Sequence, residues 1–383
     1  MKTIIRNAEI LNPYQHGGMA DVVIEQGIIT GVYENSKDGL SDDLIIDADG
    51  RYLCPGFIDV HFHGALGMDT MDADCVSFNG LSRYCAQHGV TSFYPTTWAA
   101  PHEAIMKVLT VVESLPEQLP GAQIPGIHLE GPYLSNAFSG AQDIKMMAMP
   151  QEEEYQTWFE TGVVKLVTCA PELPGASELI QAAIRRGICV SIGHSGATFD
   201  EVQRAADLGA TQATHLFNGM RGLHHREPGT VGGILDDNRL FAQIICDGVH
   251  LHPAIIRLAQ VIKSSQRTIL ITDSIIGAGL GDGVFENNGN EIMITDGIAR
   301  TKTGGLAGST LSMDRAISNM MAFTGLPLES VLPMATSTPA EAMGIADWKG
   351  RIAPGFDADL VIMDKDLKIE RTFVGGKLIY TRI

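Results

Sequence analysis

Residues 177–195, SELIQAAIRRGICVSIGHS, contain the pattern that decides the fold. Segment 177–186 has apolar residues at helical spacing, Gly187 follows it, and the apolar run 189–194 resembles a buried strand. Glycine directly after a helix is typical of a C-terminal cap, because it adopts the left-handed conformation without steric cost. Residues 200–218 repeat this order, with a helical stretch 200–208, then Gly209, then a strand-like run 212–218. This part of the chain therefore alternates helix and strand.

The same alternation extends over the middle of the chain. Eight segments are predicted as strands: residues 57–63, 91–97, 126–130, 164–172, 189–194, 212–218, 241–250 and 268–273. Eight strands separated by helices indicate a (β/α)8 barrel of the TIM type, an α/β fold whose usual size matches this region. An open doubly wound sheet is the alternative. The first strand is not followed by G-x-G-x-x-G, which excludes the nucleotide-binding form of that sheet.

Both chain ends are rich in short β-type runs separated by turn residues. The N-terminal runs are 3–11, 21–25, 28–33 and 44–47, and the C-terminal runs are 350–352, 358–363, 369–374 and 377–380. Neither end has a helical period long enough to build its own core, so we predict that the two pair into one small β-sandwich. The predicted domains are residues 1–54 and 346–383 for the two parts of the sandwich, and residues 55–345 for the barrel.

The alternation breaks after the eighth predicted strand. Asp296-Gly297 lies between the runs 291–295 and 298–301 and predicts a hairpin turn. A glycine-rich loop follows at 304–309, and a helix is predicted over 311–323.

The composition excludes several classes of function. The 383 residues include 27 Lys and Arg against 45 Asp and Glu, a formal net charge of −18. Non-specific binding of nucleic acid or of an anionic membrane needs a basic surface. The sequence shows no apolar run long enough to span a bilayer and no signal-peptide pattern. The six cysteines form no C-x-x-C pair, which favours buried thiols in a reducing compartment. We expect a soluble, cytoplasmic protein.

The histidines are concentrated in the predicted barrel. Eleven of the 12 lie between His61 and His252. Several of them, with a few carboxylates, fall where predicted strands end: His61, His63, Glu130, His194, His215, Asp247, His250 and Asp273. The carboxyl ends of barrel strands converge at one mouth, where catalytic groups lie. Residues far apart in sequence are therefore predicted to share one small volume.

His61 and His63 lie two positions apart on a predicted strand, so their imidazoles point to the same side. Two imidazoles on one face can chelate a divalent metal, although ordinary polar residues near a strand end are the alternative. Glu130, His194 and His215 at other strand ends favour the metal site, because imidazole and carboxylate ligands suit a hydrolytic metal. For Glu130 alone, the alternative is a carboxylate that pairs with an arginine or caps a turn.

Three polar residues near these strand ends suggest other roles. Asp273 is a natural general base beside an activated water, or alternatively the N-cap of a helix. Arg226, in the loop after the sixth strand, carries a planar guanidinium suited to phosphate or carboxylate. A local cation in so acidic a chain hints at an anionic substrate, with an exposed ion pair to Glu227 as the alternative. For His128 we expect packing or support of a ligand.

Several stretches resemble the amidohydrolase superfamily and, within it, the N-acetylglucosamine-6-phosphate deacetylase family. The broader resemblance rests on residues 55–64, PGFIDVHFHG, and 350–361, GRIAPGFDADLV. The narrower one rests on the segments 128–132 (HLEGP), 170–172 (APE), 193–195 (GHS), 214–218 (THLFN), 226–229 (REPG), 247–250 (DGVH) and 272–273 (TD). Each motif alone is modest, but their order and spacing over nearly the whole chain are specific.

This resemblance implies an activity and a metal centre. The implied reaction is hydrolysis of the acetamide of N-acetyl-D-glucosamine 6-phosphate to D-glucosamine 6-phosphate and acetate, in amino-sugar catabolism or recycling. Glu130, His194 and His215 match the family's metal ligands, and Asp273 matches its catalytic acid and base. The pair His61 and His63 is similar to members that can hold two metals, with Glu130 bridging.

The resemblance also implies the substrate contacts, the cofactor and the partners. The implied substrate contacts are Gln142, Asn218, Gly219, Arg226, His250, Leu306, Ala307 and Gly308. The implied cofactor is one or two divalent metals per subunit, with zinc expected and iron, manganese, cobalt or nickel as alternatives. The implied partners are a sugar phosphate and a second copy of the chain in a homodimer.

One departure narrows the choice within the superfamily. Many other members of the superfamily that this sequence resembles have a carbamylated lysine at the end of strand four. Here residues 168–172 at that strand end are TCAPE, and Lys165 lies near the start of the strand. This weakens the dihydroorotase and hydantoinase interpretations. The alternatives that stay open are another metal-dependent amidohydrolase acting on a related N-acyl amino sugar or cyclic amide, and a non-catalytic relative that binds sugar phosphates.

Overall fold

The computed structural model describes residues 2–34, 44–287 and 290–382. Its strands, in chain order, are β1 (Thr3–Asn12), β2 (Gln15–Glu25), β3 (Ile28–Tyr33), β4 (Leu44–Asp47), β5 (Tyr52–Pro55), β6 (Phe57–Phe62), β7 (Gly64–Ala65), β8 (Met68–Asp69), β9 (Val90–Thr97), β10 (Ile127–Glu130), β11 (Val164–Cys169), β12 (Cys189–Ile192), β13 (Gln212–Ala213), β14 (Phe241–Ile245), β15 (Thr268–Ile271), β16 (Gly283–Asn287), β17 (Asn290–Thr295), β18 (Ile298–Thr301), β19 (Leu360–Met363), β20 (Ile369–Val374) and β21 (Lys377–Thr381).

The helices follow the barrel strands. They are α1 (Cys75–Gln87), α2 (His102–Glu113), α3 (Glu152–Glu160), α4 (Ala176–Arg185), α5 (Phe199–Asp207), α6 (Gly229–Asp236), α7 (Pro253–Arg267), α8 (Met313–Thr324), α9 (Leu328–Val331) and α10 (Ser337–Ala342). Short 3₁₀ turns lie at Thr70–Asp72, Asn136–Phe138, Ile144–Met146 and Leu332–Ala335. Helix α7 is kinked at Ser264.

Eight parallel strands form the barrel, as the sequence predicts. The sheet runs β15-β14-β13-β12-β11-β10-β9-β6, so each strand pairs with its neighbours in chain order. A parallel bridge between Phe62 and Ser274 joins the two edges of this sheet. The open-sheet alternative is therefore wrong. The predicted helices over 177–186 and 200–208 are confirmed as α4 and α5, and the glycines after them, Gly187 and Gly209, have φ values of 69° and 111°.

Several barrel strands end earlier than predicted. The run 212–218 is a strand only at β13, and the run 241–250 only at β14. The chain turns away from the sheet soon after β12, β13 and β15, where His194, His215 and Asp273 have positive φ values of 46°, 32° and 50°. Positive φ is costly for non-glycine residues, and such conformations concentrate at functional sites.

The two chain ends meet in one eight-stranded sheet of order β21-β20-β19-β5-β1-β2-β3, with β4 also paired to β1. Apolar side chains of both ends, including Ile5, Val22, Leu360 and Phe373, pack into a core separate from that of the barrel. Residues 350–352 form no strand. There the main chain of Ile352 instead exchanges two hydrogen bonds, of 2.7 and 2.9 Å, with the side chain of Asn12.

The hairpin after the eighth strand is confirmed. Strands β17 and β18 pair antiparallel around Asp296-Gly297, and β16 completes a three-stranded sheet. Helix α8 confirms the predicted helix and begins two residues later than expected. The six cysteines are free thiols, of which Cys75 is exposed. Among the helices that the structure describes, none is both long and apolar enough to cross a membrane.

A buried ion pair fixes the segment that enters β19. Nζ of Lys349 lies 2.9 Å from Oδ2 of Asp357 and also contacts Asp359, while its own side chain is 13% exposed. We expect Lys349→Met to lower the free energy of unfolding by about 3 kcal/mol, because it leaves a buried carboxylate uncompensated. The matched control is Lys302→Met at the exposed pair with Glu291, expected to cost under about 1 kcal/mol. Equal losses in urea unfolding would contradict this prediction.

Candidate active site

Two histidines from β6 reach into the barrel mouth. His61 and His63 are 0% and 1% exposed, and their Nε2 atoms are 3.1 Å apart. Nδ1 of His63 lies 3.1 Å from the carbonyl oxygen of Thr96. The indole of Trp98 stacks on the His63 ring at a centroid distance of 4.1 Å. These contacts hold His63 with Nε2 facing the centre of the mouth.

Glu130, the last residue of β10, lies among four imidazoles. Its Oε1 is 3.2 Å from Nε2 of His194, 3.0 Å from Nε2 of His215 and 3.5 Å from Nε2 of His61. Its Oε2 is 3.4 Å from Nε2 of His63. The carboxylate is 2% exposed. It therefore lies between His61 and His63 on one side and His194 and His215 on the other.

Asp273, which follows β15, faces the same point from the strand next to β6 in the closed barrel. Its Oδ1 lies 3.4 Å from Nε2 of His61 and 3.3 Å from Nε2 of His63. Its backbone N–H donates to the carbonyl oxygen of His61 at 2.9 Å, and its own carbonyl accepts from the N–H of Ser309 at 2.8 Å. The next described element is the strand β16, so Asp273 is not a helix N-cap.

These side chains form two candidate metal-binding groups among the described residues: His61, His63 and Asp273, and Glu130, His194 and His215. Nδ1 of His194 and of His215 lie 2.8 and 3.1 Å from the carbonyl oxygens of Phe138 and Asn218. A carbonyl only accepts, so each Nδ1 donates its hydrogen there, and each Nε2 is the ring nitrogen that faces Glu130 and can offer a lone pair to a metal.

Imidazole nitrogens and carboxylate oxygens converge in this centre, which suits a cation. Nε2 of His194 and Nε2 of His215 are 3.1 Å apart, and both lie within 3.2 Å of Oε1 of Glu130. Nδ1 of His61 is buried with no hydrogen-bond partner in the described part of the chain. An imidazole that binds a metal through one ring nitrogen usually donates the N–H of its other nitrogen to a carbonyl or a carboxylate. The donor set therefore fits a divalent metal.

Burial and contacts among the side chains of this centre shift their pKa values in different directions. Burial lowers the pKa of His61 to about 4. Burial alone would also lower the pKa of His63, but hydrogen bonds with Asp273 and Glu130 raise it to about 10. Burial opposes ionisation of Asp273, yet its electrostatic interactions with His61 and His63 and its hydrogen bond with His63 lower its pKa to about 2. Glu130 follows the same pattern, its pKa held well below its usual range by His61, His194 and His215. Both carboxylates are therefore charged.

A cleft of about 270 Å³ opens over the two groups. Of the predicted substrate contacts, it is lined by Gln142, Asn218, Gly219, His250, Leu306 and Gly308. Ala307 lines a neighbouring cavity. Arg226 is exposed, and its Nη1 lies 2.8 Å from Nε2 of His225 rather than against Glu227. The roles of all these residues stay predictions.

Two of the lining residues are held by defined contacts. Nε2 of Gln142 donates to Oε2 of Glu130 at 2.7 Å, and its Oε1 accepts from the N–H of Ala99 at 2.8 Å. Nδ1 of His250 lies 2.6 Å from Oδ2 of Asp247. Burial alone would lower the pKa of His250, but Asp247 outweighs it and raises the pKa.

The sequence analysis missed Trp98 and Asp69. Trp98 covers His63, and its Nε1 donates to Oδ2 of Asp69 at 3.2 Å. The position of Trp98 directly after the second predicted strand was the available signal, because strand ends meet at this mouth. His128 packs under His61 at a ring distance of 4.8 Å, with its Nε2 2.7 Å from Oγ1 of Thr168, as the sequence led us to expect.

Comparison with known proteins identifies the family of the chain. The model of the amidohydrolase family matches residues 52–379. The chain belongs to the amidohydrolase family. One relative is the N-acetylglucosamine-6-phosphate deacetylase of Lysinibacillus sphaericus, 34% identical over 99% of this chain and 98% of that protein. Another is the N-acetylgalactosamine-6-phosphate deacetylase of Escherichia coli O157:H7, 36% identical over 87% of this chain and 89% of that protein.

A solved structure of this amidohydrolase type is also similar over its whole length. It is an N-acetyl-D-glucosamine-6-phosphate deacetylase mutant from Mycobacterium smegmatis in complex with N-acetyl-D-glucosamine-6-phosphate. It superposes with a TM-score of 0.90 at 31% identity, covering 100% of this chain and 99% of that one.

Proposed function

We propose that this chain hydrolyses the acetamide of N-acetyl-D-glucosamine 6-phosphate to D-glucosamine 6-phosphate and acetate, in amino-sugar metabolism. The observation that carries the proposal is the convergence of six polar side chains, from the ends of five barrel strands, on one cleft. The full-length relatives named as deacetylases of hexosamine phosphates support it.

The metal centre is proposed at the two groups described above. Glu130, His194 and His215 would hold one divalent metal, with His61, His63 and Asp273 available to a second. Such a metal supplies Lewis-acid activation of water and of a carbonyl. Imidazole and carboxylate donors suit zinc, with iron, manganese, cobalt and nickel as alternatives.

Asp273 is proposed as the catalytic acid and base. Its carboxylate is charged and faces the centre of the mouth, so it can accept a proton from the attacking water. It can then return that proton to the amine nitrogen as the C–N bond breaks. Gln142 donates one of its two amide hydrogens to Glu130. Its second amide hydrogen can stabilise the negative charge that develops on the acyl oxygen.

The sugar phosphate is proposed to lie against Asn218, Gly219, His250 and the Leu306-Ala307-Gly308 segment, with Arg226 approaching the phosphate from its exposed loop. These groups hold and orient the substrate so that its amide meets Asp273. Their contribution is positioning rather than bond making.

A direct test follows both products. Purified protein, loaded with a divalent metal, should release acetate and free amine in equal amounts from N-acetyl-D-glucosamine 6-phosphate. Chelation should abolish the activity and metal should restore it. Full activity in metal-free protein would contradict the metal mechanism. Failure to release acetate with any divalent metal would favour a non-catalytic sugar-phosphate binder.

The second candidate substrate is N-acetyl-D-galactosamine 6-phosphate. The E. coli O157:H7 relative, named for that substrate, is about as similar to this chain as the glucosamine-type relatives. The two sugars differ only in the orientation of one hydroxyl group. The ratio of kcat/KM values for the two phosphates therefore decides between them.

Arg226→Ala should raise KM for the phosphorylated sugar by about 10- to 100-fold, with kcat within about twofold, because a charge-assisted hydrogen bond is worth about 1.5–3 kcal/mol. Steady-state kinetics measure this. The control is Arg204→Ala, an exposed arginine of α5 paired with Glu201, which should leave both constants unchanged. An unchanged KM in Arg226→Ala would remove Arg226 from phosphate binding.

We also propose a homodimer that acts in the cytoplasm. The free state of all six cysteines suits a reducing compartment. Light scattering after gel filtration, at several concentrations, tests the dimer.

A further inference from the structure

The cleft over the metal-binding groups adjoins two further cavities. On one side it shares Trp98, Ala141 and Gln142 with a cavity of about 250 Å³. On the other side it shares His250, Leu306 and Gly308 with a second cavity, also of about 250 Å³. The two flanking cavities therefore adjoin the cleft at these shared residues, with the metal-binding groups in the middle.

The two flanking cavities differ in chemistry. The first, which we call the apolar cavity, is walled mainly by Met71, Trp98, Pro101, Ala104, Met146 and Ile292. The second contains the charged side chains of Asp247, Asp296 and Arg315. A sugar phosphate carries hydroxyl and phosphate groups that need polar partners. An apolar substituent of the same molecule gains most in the apolar cavity.

The walls of the apolar cavity are fixed next to the reacting groups. The Trp98 indole is held by its stack on His63 and its hydrogen bond to Asp69. Gln142 is held at both ends of its amide by Glu130 and Ala99. The far wall joins a buried apolar cluster that includes Ala307 and Ile292. The apolar cavity thus adjoins the catalytic cleft along side chains that are held in place.

An amide substrate has two ends, and the polarity of the flanking cavities orients them. With the amide over Asp273 and the metal-binding groups, the sugar phosphate lies toward His250 and the acyl group points toward Trp98 and Ala141. An acetyl group places one methyl there. A methyl needs about the 30 Å³ that one water occupies, far less than the apolar cavity offers.

We infer that the apolar cavity is an acyl-chain site, and that the enzyme hydrolyses N-acyl amino-sugar phosphates with chains longer than acetyl, such as N-propionyl and N-butyryl. This inference rests on the proposed function. The reaction is the same: water adds to the acyl carbon, the C–N bond breaks, and Asp273 passes the proton to the leaving amine. The products are the amino-sugar phosphate and the longer carboxylate. Each added methylene buried in the cavity contributes about fourfold to binding.

The test compares N-acetyl, N-propionyl and N-butyryl D-glucosamine 6-phosphate in the metal-loaded wild type and in Ala104→Phe, which fills the apolar cavity. We expect kcat/KM for the N-butyryl substrate within about tenfold of that for N-acetyl in the wild type. Ala104→Phe should lower the N-butyryl value at least about tenfold and the N-acetyl value less than about twofold. Thr110→Phe, an exposed position of the same helix, is the matched control and should leave both values unchanged.

The outcomes separate the two proposals. Normal N-acetyl hydrolysis with N-butyryl more than about 100-fold slower in the wild type would overturn the acyl-chain site and leave the proposed function intact. Equal losses on all substrates in Ala104→Phe would also overturn it. No hydrolysis of any N-acyl substrate would overturn both proposals. If Ala104→Phe does not fold, Met146→Trp narrows the same cavity from a surface turn and carries the same expectations.

Discussion

Asp273→Asn should lower kcat by about 10²- to 10⁴-fold while KM for the sugar phosphate changes by less than about tenfold. The asparagine side chain has the same shape but cannot carry the proton between water and amine. Oδ1 of Asp273 faces Nε2 of both His61 and His63, and the main chain on either side is held by hydrogen bonds to His61 and Ser309. The substitution therefore removes a proton carrier without removing a structural support.

The metal content of this variant must be measured alongside its kinetics, because Asp273 belongs to one of the two candidate metal-binding groups. A loss of kcat at unchanged metal content identifies proton transfer as the missing step. Asp237→Asn is the matched control: Asp237 pairs with Arg239 near the start of β14, at the opposite end of the barrel. It should keep full kcat. Near-normal turnover in Asp273→Asn would remove Asp273 from its catalytic role.

The convergence of the site could be predicted because two regular patterns determine it. Alternation along β6 places His61 and His63 on one side, and the parallel order of the strands brings Glu130, His194 and Asp273 to the same mouth. Neither step needs knowledge of loops. The eight strands were predictable for the same reason, since buried parallel strands read as nearly continuous apolar runs.

The ends of those strands could not be predicted from local composition. The residues after β13 include Thr214, Leu216 and Phe217, which favour a strand, yet His215 has a φ of 32°. After β14, Asp247 caps the N–H groups of Val249 and His250. Those turns are stabilised by tertiary contacts, such as the N–H of Leu216 donating to the carbonyl oxygen of Gln243. A strand propensity carries no information about partners of that kind.

The residues that wall the apolar cavity could not be predicted from the sequence. Trp98 comes from the loop after β9, whereas Ala141 and Met146 come from the connection between β10 and α3, and their meeting depends on how the two loops fold over the barrel. Composition alone gives Trp98 no role, whereas its stack on His63 and its bond to Asp69 give it one. Loop placement is also why Arg226, a natural phosphate ligand by chemistry, lies exposed beside His225.

Glu130→Gln should lower metal affinity by at least about 100-fold and reduce hydrolysis in proportion, since even residues that only support metal ligands contribute about 10- to 100-fold. Both oxygens of Glu130 contribute negative charge among four imidazoles. An amide removes that charge, and its N–H donors cannot bind a cation. Metal analysis after dialysis measures the loss, and the shift in Tm on adding zinc gives a second reading that does not depend on activity.

Glu154→Gln is the matched control for that experiment. Glu154 accepts a hydrogen bond from the Tyr133 hydroxyl at 2.6 Å on the outer helix α3, outside both candidate metal-binding groups. It should retain the metal content and Tm shift of the wild type. If Glu130→Gln instead keeps its metal through dialysis and hydrolyses substrate at the normal rate, the cation does not lie at Glu130. The mechanism would then have to be rebuilt on His61, His63 and Asp273, because those three form the other group that can hold it.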